Sequence, residues 1–262
     1  MNVALVSLDQ IWQDKIANLR QCELYVTKAT GNGADLIVFP EMTLTGFSMN
    51  ASLIKEKRED SNSIKRFQRM AKKYHVAIIF GIVLYDQEGS SNNLIFIEND
   101  GRIGAIYEKI HPFSYSKEDK VYKGGDKICI HDFMGVKIGL TICYDLRFPE
   151  LYSILGKDSD VIVNIANWPD RRVGHWKTLL QARAVENQCF CIGVNRTGID
   201  GKGLKYIESS VVFNANGDLP AFEKIDDKVK IFNIDKQWTE SFKMKFNTTQ
   251  DKRMDLYSVF YK

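Results

Sequence analysis

The sequence predicts an α/β protein built as a four-layer α-β-β-α sandwich with mixed sheets and an internal pseudo-twofold duplication. Three observations carry that prediction. Apolar strand-like runs alternate with helix-like segments, which implies helices laid outside sheets. The order strand, helix, strand, helix, strand, hairpin is then written twice. Finally, phrases recur at matching places: Asp35-Leu36-Ile37-Val38 echoes Asp160-Val161-Ile162-Val163, and Glu108-Lys109 echoes Glu223-Lys224. Two such halves packed sheet on sheet give the four layers.

The first half reads as a strand at 2–8, a helix at about 13–30, a strand at 35–39, a helix at about 61–74 and a strand at 76–84. A hairpin follows, Asn93–Glu98 and Arg102–Glu108, reversed by the strong turn signal Asn99-Asp100-Gly101. The second half reads as a strand at 136–142, a helix at 149–156 opened by Pro149 in its first turn, a strand at 160–165, a helix at 174–187 and a strand at 189–194. Its hairpin is Ser209–Phe213 and Leu219–Glu223, turning at Asn214-Ala215-Asn216-Gly217. A last helix at about 236–246 leads into a tail bearing Trp238, Phe242, Phe246, Tyr257, Phe260 and Tyr261. Residues 1–240 are expected to form one domain, with 241–262 a tail that packs on its own domain or on a partner.

Composition narrows the function. An apolar fraction of 44% over 262 residues is ample for a core. Thirty-six basic against 33 acidic side chains leave a net +3, too little to argue for nucleic acid or an anionic membrane. Five cysteines, at 22, 129, 143, 189 and 191, contain no C-x-x-C and leave one over. Such a set fits a reducing compartment rather than a disulfide framework. Met1 runs straight into a strand-like segment, unlike a secretory leader. The longest apolar run, Val76 to Tyr85, is too short to span a bilayer. The expectation is a cytoplasmic protein.

Chemistry is expected where strands end, because open α/β sheets bind ligands at the carboxyl ends of their strands. Those ends carry Pro40-Glu41, Lys109, Cys143-Tyr144 and Asn167-Trp168-Pro169. Cys143 falls between the run Val136 to Ile142 and the helix beginning at Pro149, near unpaired backbone N–H groups and the positive end of a helix dipole. Both favour the nucleophilic thiolate. Cysteine is also commonly a small buried hydrophobe, and from position alone the two readings stand level. Glu41, just beyond an apolar strand, suits a general base working near neutrality. Lys109, tethered to a rigid strand, can set its ammonium against developing negative charge. Together they support one reaction: Cys143 attacks an amide carbonyl, Glu41 takes the thiol proton, and Lys109 with the Tyr144 backbone N–H holds the oxyanion.

Glu41 in Phe39-Pro40-Glu41, Lys109 in Tyr107-Glu108-Lys109-Ile110-His111-Pro112-Phe113 and Cys143 in Ile142-Cys143-Tyr144-Asp145-Leu146-Arg147-Phe148-Pro149-Glu150 resemble the Glu-Lys-Cys triad of the nitrilase superfamily, the carbon–nitrogen hydrolases. The likeness runs from the first strand to about residue 240. It implies the same sandwich and a second glutamate after the lysine, a place that Glu118 matches. Within the superfamily, Ala166-Asn167-Trp168-Pro169, His175-Trp176, the run Ala182 to Gln188 and the run Asn195 to Gly203 resemble the omega-amidase branch. That branch releases ammonia from the terminal amide of 2-oxo acids such as 2-oxoglutaramate and 2-oxosuccinamate. Such a substrate needs a cation for its free carboxylate, and Arg147, Arg171, Arg172 and Arg196 are candidates by position. Phe113 and Trp168 are candidates for the pocket wall, with Tyr144 and His175 beside them. The resemblance also implies a homodimer.

No cofactor is implied, since the chain has no Gly-rich phosphate loop of dinucleotide or Walker type and the thiol carries the chemistry. A Cys-His hydrolase would use His111 or His175 but leaves Glu41 and Lys109 idle. A metal site from Cys129, His131 and Cys143 has poor spacing. A non-enzymatic module would make the whole set redundant. N-carbamoyl and nitrile hydrolysis share the same catalytic set and differ only in the pocket.

Overall fold

A computed structural model describes residues 1–260; Tyr261 of the aromatic tail, with Lys262, lies outside the described residues. Two mixed sheets stack face to face. The first runs, edge to edge, Phe222–Lys224, Val229–Asn233, Asn2–Val6, Leu36–Val38, Ala77–Asp86, Gly89–Ile97 and Ile103–Glu108. The second runs Val211–Phe213, Phe190–Asn195, Val161–Ala166, Val136–Ile142 and Ile130–Phe133. In both, three parallel strands are flanked on each side by an antiparallel one, which is the expected duplication in register form.

Period-two alternation sorts the side chains into layers. Val3 and Leu5 face the opposite sheet, whereas Ala4 and Val6 face helices Lys15–Gly31 and Asn62–Tyr74. Likewise Val161, Val163 and Ile165 face inward, while Ile162 and Ala166 pack under helices Pro149–Asp158 and Val173–Asn187. One apolar core is therefore shared by the two sheets, and each sheet has a second core beneath its own helices.

The expected pairings need correcting at three places. The second hairpin does not exist: Val211–Phe213 pairs with Phe190–Asn195 in the second sheet, while Phe222–Lys224 pairs with Val229–Asn233 in the first. Asn214 to Gly217 does reverse the chain, with Gly217 donating to Asn214 O at 2.8 Å, but the returning segment crosses to the other sheet. The first hairpin is part of a three-strand meander beginning at Ala77. A further strand, Ile130–Phe133, pairs with Val136–Ile142 around Met134-Gly135, both left-handed with φ of 54° and 75°. Asp14, accepting from Ala17 N at 2.9 Å, caps the helix that starts at Lys15.

Candidate active site

The strand Val136–Ile142 hands directly to a 3-10 turn, Cys143–Arg147, and Cys143 sits at the junction with φ 45°. A β-carbon residue rarely adopts that conformation, and surrounding structure must hold it there. Fully buried Asp145 does so. Its Oδ2 accepts from Ile142 N at 2.9 Å and from Tyr107 O–H at 2.8 Å. Its Oδ1 accepts from His111 N at 3.0 Å and from His111 Nδ1 at 2.8 Å. Tyr107 and His111 flank Lys109, so one carboxylate fixes the cysteine turn against the lysine segment. His111, stacked on Phe148 at 3.8 Å, is a strut in this arrangement.

Lys109, Glu41 and Glu118 meet with side chains at most 1% exposed. Lys109 Nζ donates to Glu41 Oε1 at 2.9 Å, to Glu118 Oε2 at 2.9 Å and to Glu118 Oε1 at 3.2 Å. Asn92 Nδ2 donates to Glu41 Oε1 at 2.8 Å and to Glu118 Oε1 at 3.0 Å. Glu118 Oε2 also accepts Phe113 N–H at 2.6 Å, and Glu41 Oε2 accepts Asn167 N–H at 3.0 Å. Burial works against the Lys109 charge, but the Glu118 and Glu41 carboxylates outweigh it and hold the ammonium above the ordinary lysine range.

Cys143 behaves otherwise than its position predicts. Burial first, then the Glu41 charge, push the thiol well above the usual cysteine range, although Lys109 and the Asn167 N–H pull it back. Desolvation and the carboxylates outweigh Lys109 and the Asn167 N–H, so the resting sulfur keeps its proton, and attack requires a base to take it. That is chemistry Glu41 can supply.

Cys143 lines a cavity of about 180 Å³, below the roughly 300–1,000 Å³ of drug-sized ligand sites, so a small molecule fits. Phe113, Tyr144 and Trp168 wall it, with Phe113 and Tyr144 ring centroids 4.8 Å apart. Arg147 lies 4.8 Å over the Trp168 ring, Arg172 lies 5.8 Å over Phe113, and Arg171 completes the mouth. Among the described residues none of these three guanidiniums is paired with a carboxylate. Burial first, and then the neighbouring Arg171 and Arg147 charges, lower the pKa of Arg172.

Two residues expected in the pocket are elsewhere. Arg196 is fully buried and donates to Thr197 O and Gln10 O, each at 3.0 Å, beneath the Tyr206 ring; backbone carbonyls have claimed it. His175 is exposed on helix Val173–Asn187, because helical period turns its neighbour Trp176 inward, where Trp176 Nε1 donates to Ser209 O at 2.9 Å. His131 lies on the strand Ile130–Phe133, paired to Glu98 at 2.6 Å, and no cluster of three metal-ligating side chains occurs among the described residues. Sequence reasoning missed Asn92, Asp145 and Tyr206. Ser91-Asn92-Asn93, three polar residues entering an apolar strand, was the available signal for the first.

The sequence pattern of the carbon–nitrogen hydrolase family matches residues 2–242. The chain is 35% identical to an omega-amidase of Escherichia coli K12 over 84% of each chain. It is 31% identical to the 2-oxoglutaramate amidase of Bacillus subtilis 168, covering 92% of this chain and 93% of that one. A crystal structure of a CN-hydrolase superfamily protein from Xanthomonas campestris, carrying an arsenic adduct in its active site, superposes with a TM-score of 0.88 at 28% identity, covering 96% of this chain and 97% of that one. With its four layers, buried Glu-Lys pair and cavity-lining cysteine set beside these relatives, the chain belongs to the carbon–nitrogen hydrolase family and is a hydrolase of amide carbon–nitrogen bonds.

Proposed function

We propose that this amidohydrolase cleaves the terminal amide of small 2-oxo dicarboxylate monoamides, 2-oxoglutaramate foremost and 2-oxosuccinamate with it, releasing ammonia through a Cys143 thioester. The observation that carries the reading is the trio Arg147, Arg171 and Arg172, uncompensated at the mouth of a small cavity with the thiol in its wall. A free substrate carboxylate supplies the missing negative charge. The amide then reaches the sulfur. A 2-oxo acid is favoured over the amino acid because an α-ammonium would meet these three arginines and Lys202, a fourth cation in the same lining. The only carboxylate among the described lining residues, Asp200, is already occupied by Lys202 N, Leu204 N and Tyr206 O–H at 2.8–3.0 Å. The names of the E. coli and B. subtilis relatives support the same substrate class.

In the reaction, Glu41 removes the thiol proton as sulfur attacks the amide carbon. The Lys109 ammonium and Tyr144 N–H receive the oxyanion. The tetrahedral adduct collapses, Glu41 returns the proton to the departing nitrogen, and ammonia leaves a thioester. Water, deprotonated by Glu41, hydrolyses the thioester and restores the thiol. The two carboxylates divide the labour by their hydrogen bonds. Glu118 accepts four contacts across both oxygens, whereas Glu41 Oε2 is held by a single backbone N–H. Glu118 is thereby held in place to position Lys109, and Glu41 is the carboxylate with an oxygen to spare. The same reading places the protein in a reducing compartment, the cytoplasm, where its five unpaired cysteines are at home; no helix among the described residues is long and apolar enough to cross a membrane.

The test is ammonia release from 2-oxoglutaramate, glutamine, N-carbamoyl-β-alanine and a simple nitrile. We expect 2-oxoglutaramate to exceed glutamine by about 10² in kcat/KM, the scale of a few kcal/mol of lost and repelled charge. Arg172→Ala should raise KM more than it lowers kcat. Preference for the carbamoyl compound or the nitrile overturns the assignment.

A further inference from the structure

Two carboxylates buried beside a single ammonium repel one another, and ordinarily such a pair lowers the repulsion by sharing a proton. Here the same two oxygens, Glu41 Oε1 and Glu118 Oε1, are bridged twice: by Lys109 Nζ at 2.9 and 3.2 Å, and by Asn92 Nδ2 at 2.8 and 3.0 Å. We propose that Asn92 is a positioning residue which lets both carboxylates stay anionic together, so that Glu41 is free to take the Cys143 proton. The inference rests on Glu41 being the base.

Three details of Asn92 fit this role and not ordinary packing. Its amide is 1% exposed, and both its N–H bonds go to the two anions. Its Oδ1 has no donor among the described residues, so the two bonds to the anions are the hydrogen bonds its amide group makes. Flipping the amide would satisfy nothing, because Oδ1 would then face two carboxylate oxygens. Finally, its backbone oxygen accepts Lys109 N–H at 2.9 Å, so one residue sets both the cation's backbone and the anions' tips. The other titratable groups facing the pair are the Cys143 thiol and the Tyr122 phenol. Tyr122 is kept neutral by burial and by Glu118, and its O–H donates a hydrogen bond to Ser48 O at 2.7 Å.

The experiment follows Cys143 alkylation by iodoacetamide against pH, read by mass spectrometry on the Cys143 peptide, which needs no substrate. Wild type should label slowly below an acidic limb that reports ionised Glu41. In Asn92→Ala that limb should move to higher pH by about one unit, a tenfold loss on the acid side that is recovered at alkaline pH. Asn92→Ser, which keeps one O–H donor, should move it less, and it decides the matter if the alanine variant does not fold. In Asn92→Ala/Glu118→Gln only one anion remains, and the limb should return toward wild type. Labelling slowed by the same factor at every pH, or not slowed at all, overturns the role of Asn92. If instead Glu41→Gln labels as fast as wild type throughout, it is the reading of Glu41 as base that falls.

Discussion

Lys109 Nζ touches both buried carboxylates at 2.9 Å, and this atom decides whether the cluster is stable as well as reactive. Its pKa is raised in the fold, so folding favours the ammonium. That contribution is whole below the ordinary lysine value of 10.5 and is lost only as pH climbs through the higher folded value. At neutral pH it is fully present. Lys109→Met should therefore cost about 3–5 kcal/mol at pH 7, because two buried anions lose their cation. It should also lower kcat by about 10²–10³ through the missing oxyanion donor. Thermal melting and single-turnover ammonia release check the two parts separately; a variant with normal melting and normal turnover would refute both. Glu41, Lys109, Cys143 and Glu118 were legible in the sequence because each sits in a phrase with its own pattern. Asn92 and Asp145 were not, since their meaning lies in contacts with residues 26 to 51 positions away. Arg196 and His175 misled because nearness to a strand end says nothing about which way a side chain turns.

Elements were easier to read than their pairings. The parallel core strands and four flanking helices were visible as apolar runs alternating with helix-like segments. Turn chemistry, however, states only that the chain reverses, and not which sheet edge it then joins. Phe222–Lys224 was misassigned for that reason. A subtler feature at this scale is how closely the Glu41 loop lies on the strand Ala77–Asp86. Gly81 and Thr43 exchange N–H bonds at 2.9 Å, one to Gly81 O and one to Thr43 Oγ1. A Cβ on Gly81 would stand 2.4 Å from Met42 N and 2.8 Å from Glu41 Cα. Both obstacles are backbone, and Met42 already holds a φ of 44°, so the loop rather than a side chain must yield. Gly81→Ala should then shift Glu41 by several tenths of an ångström and cut kcat by about 10–10², while KM changes less, since the arginines at the cavity mouth stand on other elements. Steady-state kinetics on the folded variant measure it; an unchanged kcat would mean that the loop's approach is incidental.

At the scale of the molecule, the crossing that spoiled the predicted hairpin closes the first sheet. Val229–Asn233 pairs antiparallel with Asn2–Val6, so the first sheet is built from both ends of the domain around the second half. Fold and site are coupled through this closure, because Asn2–Val6 is also the parallel neighbour of Leu36–Val38, the strand that delivers Glu41. Phe232 shows what the closure is worth. It stands opposite Val3, at the end of that strand remote from the catalytic rim. Its side chain is 1% exposed in the core shared by both sheets, and Phe222 lies against it at a centroid distance of 5.0 Å. Phe232→Ala should cost about 3–5 kcal/mol, the usual price of emptying a packed aromatic site, and lower Tm by roughly 10 °C for a domain of this size. Because Asn233 to Val229 keep their backbone ladder, activity per folded molecule at 25 °C should stay within about twofold of wild type. Calorimetry paired with active-site titration by a thiol reagent separates stability from turnover. Loss of turnover in fully folded Phe232→Ala would show that the closing strand tunes the chemistry directly, rather than merely holding the sheet that carries it.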